Sequence, residues 1–157
     1  MANLQQLPRG WRNCNPGNIK KSAERFRGEV DGLDTVFKTF RSMAWGFRAL
    51  FMILHTYIVK YNLRTIRQIV ERWAPSGENN TEDYIYTLCE KMHMEDDDEL
   101  HFTPITMPRL ATAIATIECG RAPKRSDVEM GWSLCEKDLR EINRRKIRNL
   151  PPIEGLK

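Results

Sequence analysis

Apolar residues fall mainly at helical intervals along this chain. Between Ser42 and Asn62 they are too dense for one stripe, with Ala44, Trp45, Phe47, Ala49, Leu50, Phe51, Ile53, Leu54, Tyr57, Ile58 and Tyr61. Such density predicts a central helix contacted from several sides, opened by Ser42 as N-cap and ending near Tyr61. Gly46 in that helix costs about 1 kcal/mol against alanine, which predicts a close approach by another segment. A shorter helix through Ile66, Ile69, Val70 and Trp73 follows, capped by Thr65 and stopped by Pro75. Asn80 or Thr81 caps the next, which carries Tyr84, Ile85, Leu88 and Met92. Thr106, with Pro108 in the first turn, opens a helix through Leu110, Ala113, Ile114 and Ile117 that Gly120 ends. Ser133 with Glu136 reads as a capping box for a last helix through Leu134, Cys135, Leu139 and Ile142.

Alternation replaces the helical period only near the N-terminal third. Val36-Phe37-Lys38-Thr39-Phe40 is β-rich and Asp31-Gly32 is a turn signal, so a small hairpin is expected between Phe26 and Phe40. Before it lies Arg12-Asn13-Cys14-Asn15-Pro16-Gly17-Asn18-Ile19, too rich in asparagine, proline and glycine for a helix or central strand. Its amides can bond back to the backbone or face a ligand, so a defined turn is expected. The fold class is therefore mainly α with a small β-hairpin.

A chain of 157 residues with 41% hydrophobic content can bury a core without a metal or a second copy. The organisation expected is one domain over residues 1–125 and a basic helical extension over 126–157. The net charge of +4 suits an anionic partner such as nucleic acid, a lipid surface or a wall polymer. No run is apolar enough to span a membrane, and MANLQQLPRGW has no apolar block, so neither a transmembrane segment nor a signal peptide is expected. The protein then stays in the cytoplasm, or reaches the cell wall by lysis, in a phage particle or through a dedicated machine. Cys14, Cys89, Cys119 and Cys135 are widely spaced, and the acidic run from Glu95 to Glu99 lacks EF-hand spacing; no metal or cofactor is expected.

Glu118 is the carboxylate that the pattern singles out. It lies at the end of an apolar helix just before Gly120, where a carboxyl group can deliver a proton to a leaving-group oxygen. Glu78, with Asp83, Glu29, Asp31 and Asp34 as rivals, is a candidate second carboxylate. The bland alternatives are a solvated helix end and a capping loop.

Four separated blocks carry a family resemblance: Arg12 to Lys20, Gly46-Phe47-Arg48-Ala49-Leu50, the loop from Arg72 to Thr81 with Tyr84, and Ile117-Glu118-Cys119-Gly120. In this order they resemble short phage and prophage proteins, often labelled structural or virion proteins, that open close to R-N-N-N-P-G-N-I-R. The match covers roughly residues 8 to 120. Ala113 to Gly120 is also similar to the helix ending in E-S-G that carries the general acid of lytic transglycosylases. Asn15 to Lys20, with Phe26, Phe37 and Phe40, resembles the N-x-F-G-I-K segment and aromatic hairpin of bacterial glucosaminidases. The two pieces stand in the opposite order here, which implies a circularly permuted lysozyme-like domain.

That resemblance implies a muramidase or lytic transglycosylase acting on peptidoglycan at the MurNAc-GlcNAc β-1,4 bond. Glu118 would be the acid and Glu78 the second catalytic candidate. Asn15, Asn18 and Asn79 would orient saccharide amides, and Tyr84, Trp73 or Phe40 would stack on sugar faces. An immunity or virion protein is a further partner on this reading. Cys14 and Cys119 stand where the family usually has asparagine, and Ile117 where it has histidine; the permuted arrangement implies that the two cysteines lie close enough to pair. Other classes stay open: a non-catalytic wall-binding or virion structural protein, and a nucleic-acid-binding protein, the last disfavoured because no recognisable DNA- or RNA-binding motif is present.

Overall fold

Ser42 does open the central helix: in the computed structural model, which describes residues 7–156, its hydroxyl accepts from the Trp45 N–H at 3.4 Å. In chain order the elements are α1 (Arg9–Arg12), β1 (Glu29–Val30), β2 (Thr39–Phe40), α2 (Met43–His55), a π-helical turn (Thr56–Lys60), α3 (Ile66–Trp73), α4 (Thr81–Met92), α5 (Thr106–Cys119) and α6 (Arg125–Ile147). Met1 to Gln6, part of the stretch read as lacking a signal peptide, and Lys157 lie outside the described residues. None of the helices described is long and apolar enough to cross a membrane.

The fold is mainly α with one two-stranded antiparallel hairpin, Glu29 opposite Phe40 and Val30 opposite Thr39. Thr65 and Asn80 cap α3 and α4 as expected, accepting from the N–H groups of Gln68 and Asp83, each at 3.2 Å. The cap of α5 is displaced: Thr103 Oγ1 accepts the Thr106 N–H at 3.1 Å, so Thr106 is the first helical residue. The central helix stops being α-helical at His55 and continues to Lys60 as a π-helical turn.

The last helix departs most from the sequence pattern. It begins at Arg125, and Ser133 lies in its interior. Gly131 is where α6 crosses α2: a Cβ there would meet Phe47 Cβ at 2.5 Å and the Ala44 carbonyl at 2.8 Å. Val128, Trp132 and Cys135 are buried in the same core as Phe47 and Phe51. Through these side chains α6 packs against α2. Trp132 meets the Phe51 ring edge-on at 5.1 Å.

Gly46 shows the close approach expected of it, and the approaching segment is the asparagine turn. A Cβ there would stand 2.1 Å from the Cys14 carbonyl oxygen and 2.6 Å from Pro16 Cδ. Gly46→Ala is therefore expected to destabilise the protein by about 1–3 kcal/mol despite alanine's better helix propensity, because backbone has to move. Urea titration checks this; a variant as stable as the parent would show that the turn yields freely.

A second tether joins α1 to the hairpin loop. The Asp34 carboxylate accepts from Arg9 Nη2 at 2.7 Å, Asn13 Nδ2 at 2.9 Å, and the N–H groups of Val36 and Phe37 at 2.8 and 2.9 Å. The Arg9 guanidinium, aided by the other donors, holds this carboxyl well below the usual carboxylate range. Its folded-state value is depressed, so its contribution to stability is complete above the unfolded value of about 3.9 and is lost as pH falls below that toward the folded value. Asp34→Asn should lower stability at neutral pH and flatten its decline below about pH 4. Urea midpoints for both proteins between about pH 2 and pH 7 would test it; parallel curves would contradict it.

Candidate functional site

The asparagine turn is built from its own amides. Asn15 Nδ2 donates to the carbonyls of Ile19 and Lys38, each at 2.9 Å, while its Oδ1 accepts the Ile19 N–H at 2.9 Å. The Lys38 N–H donates to the Ile19 carbonyl and the Phe40 N–H to the Asn13 carbonyl, each at 2.9 Å, which lashes the turn to β2. Asn18 then sits at φ +47°, a left-handed position that asparagine tolerates better than most residues. Trp73, the last residue of α3, lays its ring 3.1 Å from where a Gly17 Cβ would be.

These constraints aim Asn18 and Trp73 at the end of α5. Glu118 Oε1 accepts from Tyr84 Oη at 3.0 Å and Trp73 Nε1 at 3.3 Å; Oε2 accepts from Asn18 Nδ2 at 3.1 Å. The same Asn18 amide donates to the Glu118 main-chain carbonyl at 3.3 Å. Four segments remote in sequence thus meet on one half-buried carboxylate. Gly120, at φ +74°, caps the helix just after Cys119. Burial first, then the Glu118 carboxylate, pushes the Tyr84 hydroxyl far above its usual range, so it remains a hydrogen-bond donor. Asn18 Oδ1 is buried with no protein partner.

Other residues proposed from sequence are placed differently. Asn15 is fully buried with its amide spent on the turn, which removes it from ligand contact. Phe40 is 2% exposed and belongs to the core, so its ring offers no face to a sugar. Glu78 is exposed on the loop after α3 and pairs with Lys20; among the described contacts it is not joined to Glu118. Asn79 is exposed on that loop, beside a shallow hollow of about 680 Å³ lined by Pro75, Ser76 and Asn80. Trp73 and Tyr84, expected as sugar-stacking rings, serve the carboxylate directly with their polar ends.

Cys14 and Cys119 are both free thiols, not a disulfide. Cys119 instead directs its Sγ to the Pro16 carbonyl at 3.6 Å. Burial, then the neighbouring Glu118 charge, pushes its thiol up to about 11, which leaves it protonated and a poor nucleophile near neutrality. Among the described residues no cluster of three or more His, Cys, Asp or Glu side chains is placed to hold a metal ion.

The chain has a relative among bacteriophage proteins. No protein-family profile matches the chain. It is 37% identical over 128 residues, spanning 79% of each chain, to Protein P5 of Pseudoalteromonas phage PM2. The chain belongs to the family of that phage protein.

Proposed function

We propose that this protein cleaves the glycan strands of bacterial peptidoglycan, with Glu118 as the proton donor, on a circularly permuted lysozyme-like domain. The observation that carries this reading is the convergence of Asn18, Trp73 and Tyr84 on the Glu118 carboxylate. The pieces that resemble a glucosaminidase segment and a transglycosylase helix end lie a hundred residues apart, yet Asn18 and Glu118 touch. A helix-end carboxyl held by neutral donors keeps a fixed direction, which general acid catalysis requires.

The partners around the carboxylate favour a lytic transglycosylase over a hydrolase. Retaining and inverting hydrolases need a second carboxylate near the anomeric carbon. Here the side chains bonded to Glu118 are uncharged, and Glu78 is engaged by Lys20. In the proposed step Glu118 gives its proton to the bridging oxygen, and the bond from that oxygen to the muramyl anomeric carbon breaks. The muramyl 6-hydroxyl oxygen bonds to the anomeric carbon and its proton returns to Glu118. No water is consumed. Rotation of the Asn18 amide would turn its unpartnered Oδ1 toward Glu118 Oε2, where it can accept a hydrogen bond from the carboxyl O–H before that proton is transferred to the bridging oxygen.

A second reading rests on the same contacts. Three donors on one carboxylate also form a knot that holds α3, α4, α5 and the turn together, as a non-catalytic phage structural protein would use it. Incubating purified peptidoglycan with the protein and weighing the released fragments separates the two. Anhydro-muramyl ends are the expected result, reducing ends would show hydrolysis, and no release at all would leave the structural role.

A further inference from the structure

We propose that the end of the molecule formed by the π-helical turn, the C-terminal part of α6 and the tail docks on an anionic phospholipid surface. Exposed aliphatic side chains gather there: Val59 is 56% exposed, Ile147 86%, Leu150 43% and Ile153 41%. Val59, Leu150 and Ile153 share an open cleft of about 800 Å³ with Met52, Leu139 and Ile142. Cations frame it. Lys60, Arg145 and Lys146 line the cleft, and Arg144 and Arg148 flank them on the chain. The local carboxylates are Glu141, which is taken up by Arg144 and Arg145 at 2.7 and 3.0 Å, and the exposed Glu154. Arg145 also donates to the Pro151 carbonyl at 2.8 Å, folding the tail back beside the helix.

Charge and apolarity together select the occupant. A nucleic acid would satisfy the cations but give the aliphatic side chains nothing apolar to enter. A second copy related by a two-fold axis would set these cations against themselves. A bilayer with anionic headgroups matches both layers: aliphatic side chains reach the acyl boundary while Lys60, Lys146 and Arg148 meet phosphates. The absence of a spanning helix among the described residues makes this a surface contact.

The test is flotation of the full chain with vesicles of phosphatidylcholine alone and of phosphatidylcholine with about one third phosphatidylglycerol, at low and high salt. Binding is expected only to the anionic vesicles, weakened by salt. Ile147→Glu and the pair Lys146→Glu with Arg148→Glu should each reduce it by roughly tenfold or more. All three positions are exposed, so circular dichroism should show the parent fold. Equal binding to neutral vesicles, no binding to either, unchanged binding by the variants, or binding to duplex DNA in place of vesicles would each overturn the proposal.

Discussion

Glu118→Gln should lower peptidoglycan turnover by roughly a hundredfold to ten-thousandfold, the range that a positioned general acid contributes. The substitution is nearly isosteric. A glutamine keeps one carbonyl oxygen for Trp73 and Tyr84, and its new amide group can meet Asn18 Oδ1 once the Asn18 amide turns over. The four-way contact therefore survives while the transferable proton is gone. Glu118→Ala differs in kind, because it leaves the Trp73 N–H and Tyr84 O–H without their acceptor, at about 1–3 kcal/mol for each buried donor. If the contact is only a structural knot, neither the parent nor Glu118→Gln will release peptidoglycan fragments, and only Glu118→Ala will change the unfolding midpoint. Measuring turnover and stability on both variants thus distinguishes a reagent from a fastener.

The largest loss of stability is expected from Asp138→Ala. Asp138 lies in α6 with its side chain 5% exposed and accepts from Arg48 Nε at 2.9 Å and Arg27 Nη1 at 2.6 Å. Arg48, on α2, is wholly buried; burial lowers its pKa and the Asp138 charge works against that lowering. Arg48 also donates to the Leu156 carbonyl, so this one guanidinium joins the central helix, the last helix and the tail. Removing the carboxylate strands a buried cation, which costs about 3–5 kcal/mol and should lower the melting temperature by roughly 10 °C. Arg48→Met combined with Asp138→Leu should cost much less than the two single changes together, because neither charge is then left alone. Additive losses in that cycle would mean that the pair is not coupled.

Arg48 also shows how far a sequence can be read. Nothing in the pattern Gly46-Phe47-Arg48-Ala49-Leu50 announces that the arginine is interior, since its partner lies ninety residues away. Phe40 was legible as a strand residue, but the face it presents depends on the register with Glu29 and on the turn lashed beside it. Asn15 and Asn18 have the same side chain three positions apart. One is consumed by the turn and the other reaches Glu118, a difference set by the backbone path between them.

What the sequence determined by itself is what short-range hydrogen bonding and periodicity decide. Ser42, Thr65 and Asn80 cap because their oxygens satisfy the backbone donor three residues on, and Gly120 ends α5 because it accepts a left-handed backbone; none of these needs a distant partner. The tertiary structure alone decided that α6 runs unbroken through Gly131, since the glycine there answers to the surface of α2 and not to its own neighbours. It alone brought Trp73 and Tyr84 to the Glu118 carboxylate by their polar ends. Convergence of that kind depends on how whole helices pack, and packing is a property of surfaces that only the folded chain possesses.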